Sequence, residues 1–445
     1  MPLKRAFFYC KMSERFLHNP DINETPKSAD VVIIGGGMAG PAASWALNRE
    51  MPGIKTVLIE KASQLATGAS ASSIENFRSC WPTPCLIAQM SRSMEIFTHA
   101  DEYLGEGAAK ALNVRQRGYL YTGFNLEQAA TLKSEVEDLQ KKGLTHVEYL
   151  NEEEINHRFP YLGEHVVAAK FDPTAGWLES NSLAYLFARA GKDAKFLTGI
   201  DNTSIIVEKD KVVGVMTNNG LIKTEKVVIA AGSGSRQVGR TAGIELPIIM
   251  RPRHSFTTAY RHPSIPEDAP FIIGNEPFAY MRPEKTGSIF GWEYEWVNKV
   301  DPENGAVGYL TEPLPKYKVK DPIVPGMVLD ALNGLFGDIF SEDKYLRGGG
   351  VDLRVDYYVS RSPENSYKDE NSVRIPIDSQ RAIVDKYPGL EGLYLSISHV
   401  GHGVMASAAS GEIVAAHVLG QDQKNPLFYD FGINVHWVPE DGGSL

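Results

Sequence analysis

A chain of 445 residues exceeds one typical hydrophobic core, so two domains are expected. At 43% hydrophobic and 22% charged the composition is that of an ordinary globular protein, and a net charge of −10 argues against a nucleic-acid or anionic-membrane surface. Cys10, Cys80 and Cys85 are too few for a disulfide framework and suggest a reducing compartment, and no stretch reads as transmembrane.

Residues 1–28 precede the first apolar run. Lys4, Arg5 and Lys11 beside Phe7, Phe8 and Tyr9 hint at targeting, but Glu14, Asp21 and Glu24 follow, and transit peptides avoid acids. A surface extension is therefore expected, on a cytoplasmic protein, with the mitochondrial matrix as the alternative. Asp30-Val-Val-Ile-Ile-Gly35-Gly36-Gly37-Met38-Ala39-Gly40 then reads as a buried strand running into G-x-G-x-x-G. Gly35 allows the tight turn, Gly37 lets backbone approach a pyrophosphate, and Gly40 permits close helix–strand packing. The helix N-terminus offers unpaired N–H groups and the positive end of its dipole to phosphate. Pro41 falls in the first turn, where its missing N–H has no partner to lose. Twenty residues after Gly40, Thr56-Val-Leu-Ile-Glu60 ends in an acid placed for the ribose hydroxyls of an adenosine.

Residues 85–112 and 125–142 carry helical patterning, and residues 117–122 read as a strand. Short helices are expected at residues 152–159 and 181–190, the latter capped by Asn181 or Ser182. Residues 204–231 alternate strand and turn three times, and residues 255–260, 271–273, 278–281, 288–294, 349–359 and 392–397 add further strands. Gly401-His402-Gly403 then opens an alanine-rich helix over residues 404–420, a second N-terminus that favours an anion. Such an end can face the N1–C2=O edge of an isoalloxazine ring, where it stabilises the charge gained on reduction, so the dinucleotide is read as FAD. A well-packed helix behind a glycine turn is the plain alternative.

The expected fold class is α/β with α+β: a Rossmann-like FAD-binding domain interleaved with a β-rich substrate domain. Residues 29–85, 166–240 and 346–430 are assigned to the first, residues 86–165 and 241–345 to the second, and residues 431–445 to a tail.

These motifs together resemble the D-amino-acid-oxidase-like superfamily of FAD enzymes, in the branch of sarcosine oxidase, glycine oxidase and the proline dehydrogenase β-subunit. The resemblance runs from about residue 30 to 420. It continues through Thr67-Gly-Ala-Ser-Ala-Ser-Ser-Ile-Glu-Asn-Phe-Arg78, Arg117-Gly-Tyr-Leu, Val227-Val-Ile-Ala-Ala-Gly232, Ala279-Tyr-Met-Arg-Pro283 and Gly291-Trp-Glu293. It implies FAD held by Gly35, Gly37, Met38, Ala39, Gly40, Glu60 and Lys61. Gly68, Ala69, Ser70, Ala71 and Ser72 would lie over flavin and pyrophosphate, with Ile200 offering its backbone to the adenine. Ala231, Gly232, Gly401, His402, Gly403, Val404 and Met405 would complete the cofactor site. Arg78 falls where the branch holds an arginine for the substrate carboxylate, a task suited to a planar guanidinium. Tyr280 falls near a pocket tyrosine.

Five departures stand out. Met405 replaces a lysine, and Ile289 replaces the lysine that speeds oxygen reduction. Asp356 stands where the branch has its flavin-linking cysteine, so non-covalent FAD is expected. Ser398-His399-Val400 replaces Gly-Phe-Ser and puts His399 in reach of the pocket. Residues 361–376 look inserted, as a lid, an oligomer contact or an idle loop. The implied activity is oxidation of the C–N bond of an amino acid or N-alkyl amino acid, by hydride transfer to flavin N5 and on to oxygen or another acceptor. Arg78, Tyr280, His399 and Met405 would form the substrate site.

A non-enzymatic FAD-containing assembly factor and a 2-hydroxy-acid dehydrogenase are the alternatives, and a homo-oligomer is compatible with either. Arg78 could instead pair with Glu75 or Asp101, and Glu293 could meet a substrate ammonium or stand on a surface strand. Cys80 and Cys85 read as inert thiols. His399 and His402 lack a third ligand, so no metal is expected.

Overall fold

The computed structural model describes residues 25–274, 278–292, 310–315, 320–340, 345–346, 351–362 and 381–435, with backbone pairings also at 17–18, 300–301, 305–306, 367–368 and 374–375. Cys10, Glu293 and most of residues 361–376 lie outside this set.

The first layer is a seven-stranded sheet in the order Leu17–His18, Ala194–Leu197, Thr56–Ile59, Val31–Ile34, Val227–Ile229, Leu393–Ile397, Ile383–Lys386. All neighbours are parallel except the last pair. Its central strands are buried on both faces, which is why they read as unbroken Val/Ile/Leu runs. The period of two divides them cleanly. Val31, Ile33, Leu58 and Val228 face a helical layer with Ala42, Trp45, Phe187, Ala408 and Ile413. Val32, Ile34, Val57, Ile59, Val227 and Ile229 face a three-stranded antiparallel sheet through Ile205, Val212, Val215 and Ile222. The strand Gly220–Lys223 in that sheet begins at the last residue of the expected turn Asn218-Asn219-Gly220 and was not itself expected: Leu221 is exposed and Ile222 buried, so its apolar signal is short.

The helices Ala39–Glu50 and Gly403–Leu419 cross closely. A Cβ on Gly411 would meet the Ala42 carbonyl carbon and oxygen, so backbone packs on backbone there. The helix Pro84–Thr98 runs through the division expected at residues 85 and 86. Its Leu86, Met90 and Ile96 join the same apolar core. Residues 85–112 form three helices rather than one, broken at His99 and at Gly105–Gly107, where both glycines have positive φ.

The second layer is an eight-stranded sheet in the order Asp352–Arg361, Ile248–Thr258, Ser288–Trp292, Ala279–Pro283, Phe271–Ile273, Tyr119–Gly123, Ala168–Asp172, Glu148–Asn151. Ile248–Thr258, at 11 residues, begins seven residues before the expected strand at 255–260 because its pairing with Asp352–Arg361 carries Pro252 through the ladder. One face of the sheet (Leu120, Ile272, Met281, Phe290) packs on a helix, Val324–Phe336, that the sequence reading did not anticipate. Pro325, Gly326 and Gly334 interrupt its pattern, and tertiary burial of Val328, Leu329 and Leu332 stabilises it instead. The other face presents Tyr119, Tyr121, Phe271, Ile273 and Tyr280. The architecture is thus a Rossmann-like layer interleaved with a β-rich unit.

Two caps separate expectation from structure. Asn151 and Glu154 form a reciprocal capping box on the helix Glu152–Arg158. The helix Ser180–Ala190 begins earlier than expected, with Glu179 at its N-cap position and no side-chain cap, because the Ser180 N–H and hydroxyl both donate to Glu75.

Candidate functional site

The fingerprint residues fold as their chemistry requires. Gly35 has φ +118, and a Cβ there would overlap the Ala230 carbonyl. A Cβ on Gly40 would overlap the Gly35 carbonyl. The helix Ala39–Glu50 starts at Met38 with no capping side chain, and so does Gly403–Leu419 at His402. Neither first turn carries an acidic residue. Both ends therefore keep donors and a positive dipole end for an anion.

A band of partly exposed backbone joins these ends. Gly37, Ala39, Ser70–Ser72, Ala231, Gly401 and Gly403 are half-buried, while Gly68, Ala69 and Gly232 are exposed. A Cβ on Gly37 would find only Ser70 Oγ, at 3.8 Å, and one on Gly68 or Gly232 would find nothing within 4 Å. The short helix Ala69–Ser72 lies between the helix Ser180–Ala190 and the strand Ile248–Thr258, with its Ser70 carbonyl 3.2 Å from Ser180 Oγ and its Ser72 carbonyl accepting from Ser255 Oγ. Two residues before Ser255 on the strand Ile248–Thr258, the Arg253 guanidinium lies 5.2 Å from the centre of the Tyr358 ring. That ring covers Gly401, where a Cβ would come within 2.6 Å of it. Uncapped helix ends, open glycine positions and partly exposed backbone fit an extended dinucleotide.

Two expected contacts are already partly engaged. Glu60 accepts from the N–H of Gly36 at 2.6 Å and of Ala62 at 2.7 Å, which holds its carboxylate at the strand tip. Lys61 is exposed next to it. The Ile200 amide, expected to face an adenine, donates to the Glu60 carbonyl at 3.1 Å. Asp356 stands opposite Arg253 and accepts from the Tyr357 N–H.

Arg78 lies at the centre of the second region. It is 2% exposed, and its Cζ sits 4.0 Å from the Trp81 ring centre, 5.5 Å from Tyr121 and 5.7 Å from Tyr119. No carboxylate among the described residues pairs with it, and its Nη2 is buried without a partner. The two acids considered as structural partners are engaged elsewhere: Glu75 with Ser180 and Arg282, Asp101 with the Ala109 N–H. A buried cation without a counter-ion is costly, and three aromatic faces offset only part of that. An incoming anion would relieve the rest of that cost.

Trp81 links this cation to the second helix end, its ring 4.5 Å edge-on from His402. Burial, together with the charge of Arg78, pulls the His402 imidazole down to about 3, and burial pulls His399 down to about 4. Both are neutral at physiological pH, so neither supplies charge to the site. His399 Nε2 lies 3.2 Å from Ser396 Oγ, and its Nδ1 is buried without a partner. Ser398 and Val400 flank it with φ +56 and +49. A β-branched residue at positive φ is strained, and the bridge from Val400 N–H to the Val359 carbonyl holds it there.

Tyr280 is buried on the Tyr119/Tyr121 face, with its ring across Gly291 and 5.2 Å from Phe271. Met405 packs in the apolar core that contains Trp81 and Cys85. Burial and the charge of Asp172 push the Cys80 thiol up to about 12, which makes it unreactive. Neither Cys80 nor Cys85 is in a disulfide. Among the described residues no cluster could hold a metal, and no helix is long and apolar enough to cross a membrane. Sequence reasoning missed Trp81, Tyr119, Tyr121 and Ser255. The alternation Tyr119-Leu-Tyr121 was legible, but what its face meets was not.

The family described as DAO, FAD dependent oxidoreductase, matches residues 30–417, and the chain belongs to it. The chain is similar to the sarcosine oxidase β subunit of Arthrobacter sp, at 26% identity over 60% of this chain and 65% of that protein. It thus spans just under two thirds of that relative. It is also similar to the FAD-dependent oxidoreductase domain-containing protein 1 of Xenopus laevis, at 23% identity over 93% of this chain and 84% of that one. Among solved structures, the L-proline dehydrogenase of P. horikoshii shares the fold with a TM-score of 0.72, at 22% identity over 92% of this chain and 98% of the other. The glycine oxidase of Bacillus cereus shares it with a TM-score of 0.69, at 19% identity over 90% and 97%.

Proposed function

We propose that this FAD-dependent oxidoreductase oxidises the C–N bond of a small amino acid or N-alkyl amino acid to an imine, which water then hydrolyses. The observation that carries the reading is Arg78, a buried guanidinium with no carboxylate partner among the described residues, walled by Trp81, Tyr119 and Tyr121. The sarcosine oxidase, dimethylglycine dehydrogenase and L-proline dehydrogenase relatives, all named for amino-acid substrates, support it.

The groove formed by Gly35–Gly40, Gly68–Ser72, Ala231–Gly232 and Gly401–Gly403 would hold the FAD without a covalent link. Bound there, FAD supplies a two-electron acceptor for the α-hydrogen and its electron pair. The chain's own residues bind and orient. Arg78 takes the carboxylate and so fixes the α-carbon, and the aromatic walls exclude water and strengthen that ion pair. Tyr280 shapes the pocket beside them. His402, neutral beside Arg78, and the neutral His399 add no charge to compete for the carboxylate. The amine must reach the site uncharged, because its lone pair becomes the imine π bond. Ile289 is buried and apolar, so no cation at that position assists oxygen. Turnover with a quinone or dye is expected to outpace turnover with oxygen.

The test is the visible spectrum of the FAD-loaded protein kept anaerobic with sarcosine, proline, other D- and L-amino acids and 2-hydroxy acids. Bleaching by an amino acid supports the reading. Bleaching by hydroxy acids alone overturns the C–N assignment, and a yellow protein that none of them bleaches points to FAD in a structural role.

A further inference from the structure

We propose that the Tyr121 hydroxyl is a second donor to the ligand carboxylate, taking one oxygen while Arg78 takes the other. This deepens the proposed function and rests on it.

The strand Tyr119–Gly123 places residues 119 and 121 on the face toward Arg78 and sends Leu120 into the helix-backed core. Tyr121 is 6% exposed. Its ring centre lies 5.5 Å from Arg78 Cζ and 4.4 Å from Lys170 Nζ, and Lys170 is its direct cross-strand neighbour. Lys170 is already paired with Glu135. Arg78 is not paired, and the Tyr121 hydroxyl is buried with no hydrogen-bond partner among the described residues.

Other tyrosines of the fold place their hydroxyls. Tyr357 donates to the Leu314 carbonyl at 2.6 Å, Tyr345 accepts from the His262 N–H at 3.0 Å, and Tyr103 donates to Glu95 at 2.9 Å. A buried hydroxyl left without a partner is uncommon in native structures, because the desolvation cost is not recovered. Two independent orphans, one cationic and one a neutral donor, therefore share one aromatic box.

The chemistry of the missing partner follows from what surrounds it. The unpaired Arg78 guanidinium lies beside the Tyr121 ring, so an ammonium group is repelled and an acceptor of negative charge is favoured. A planar anion with two oxygens offers one to each donor. A guanidinium edge and a phenol O–H both form charge-assisted hydrogen bonds of that kind. Trp81 and Tyr119 supply the remaining walls. The ligand therefore enters carboxylate first, and its carboxylate is buried more deeply than a single surface arginine would achieve.

The experiment uses the FAD-loaded protein, wild type, Tyr121→Phe and Arg78→Gln, in buffer free of carboxylates. Benzoate binding is read from the perturbed flavin spectrum, and sarcosine and proline from the concentration dependence of anaerobic flavin reduction. Tyr121→Phe is expected to weaken benzoate binding, and half-saturation by a reducing amino acid, about tenfold, the worth of one such hydrogen bond. The limiting reduction rate should stay within about twofold, and FAD content should not change. Without ligand, Tyr121→Phe should be at least as thermally stable as wild type, because it removes an unpartnered hydroxyl.

Wild-type-like binding by Tyr121→Phe while Arg78→Gln loses it overturns the Tyr121 assignment and leaves the anchor standing. A clear drop in ligand-free stability of Tyr121→Phe overturns it as well, since the hydroxyl would then already be bonded within the protein. No response of the wild type to any of the carboxylates overturns the anchor reading, and the Tyr121 assignment falls with it.

Discussion

Replacing Arg78 by methionine should move stability and ligand binding in opposite directions. Methionine keeps a long unbranched stem against Trp81, Tyr119 and Tyr121 but removes the charge. In the ligand-free protein the guanidinium is 2% exposed, with three rings at 4.0, 5.5 and 5.7 Å and no counter-ion among the described residues. Burying an unpaired ion costs several kcal/mol, and each ring returns about 0.5–2 kcal/mol. The net relief on removing the charge is about 1–3 kcal/mol. At roughly 2 cal/mol/K per residue, a chain of 445 residues converts this to a rise of about 1–3 °C in the melting temperature. A carboxylate, in contrast, loses two charge-assisted hydrogen bonds of about 1.5–3 kcal/mol each, or roughly 10² to 10⁴ in affinity. The assay is differential scanning fluorimetry of the FAD-loaded protein in carboxylate-free buffer, beside a benzoate titration of the flavin spectrum. A variant that melts several degrees lower and binds carboxylates as before would refute the reasoning, because Arg78 would then be a structural cation with a partner inside the protein.

Further outcomes are expected elsewhere in the molecule. Gly37→Ala should fold normally, since its Cβ meets only Ser70 Oγ at 3.8 Å, yet retain FAD at least tenfold more weakly; full FAD content after gel filtration would show that no phosphate approaches there. Glu412 is buried and binds Arg92 through both oxygens at 2.7 and 2.8 Å and Arg49 at 3.1 Å. Glu412→Gln should cost about 2–4 kcal/mol, read as a melting temperature lowered by a few degrees with FAD content unchanged. Unchanged melting would show that the network adds little. His399 and His402 are held neutral at about 4 and 3 against an ordinary value of 6.5. Below pH 6.5 the unfolded chain takes up protons that the native state refuses. Stability is therefore fullest above pH 6.5 and falls toward pH 4, by about 1.4 kcal/mol per pH unit for each histidine. His402→Asn should flatten thermal melting across that window, and an unaltered slope would show that His402 is solvated.

Much of the molecule was legible before any fold was drawn. The residues around Gly35, Gly40, Glu60 and Gly401 carry their meaning locally: a strand tip, a tight turn and a helix end are made by neighbours in the chain, so residue types at short spacing suffice. Other elements resisted for equally physical reasons. Val324–Phe336 is helical despite Pro325, Gly326 and Gly334 because the sheet above it buries Val328, Leu329 and Leu332. Ile248–Thr258 runs through Pro252 because Asp352–Arg361 pairs with it along its length. Ser180–Ala190 begins without a side-chain cap because Glu75, more than a hundred residues earlier, takes the Ser180 N–H and hydroxyl.

The amino-acid sequence by itself determined that this chain builds a dinucleotide-binding strand–turn–helix, a second glycine-opened helix and a β-rich unit between them. It also singled out Arg78. Only the tertiary structure decided that Arg78 meets no acid among the described residues, that Trp81 ties it to His402, and that Tyr119 and Tyr121 close around it. The difference lies in range. Turns and helix ends are settled within a few residues, whereas a pocket is the meeting of segments distant in the chain, brought together by packing that no single segment encodes.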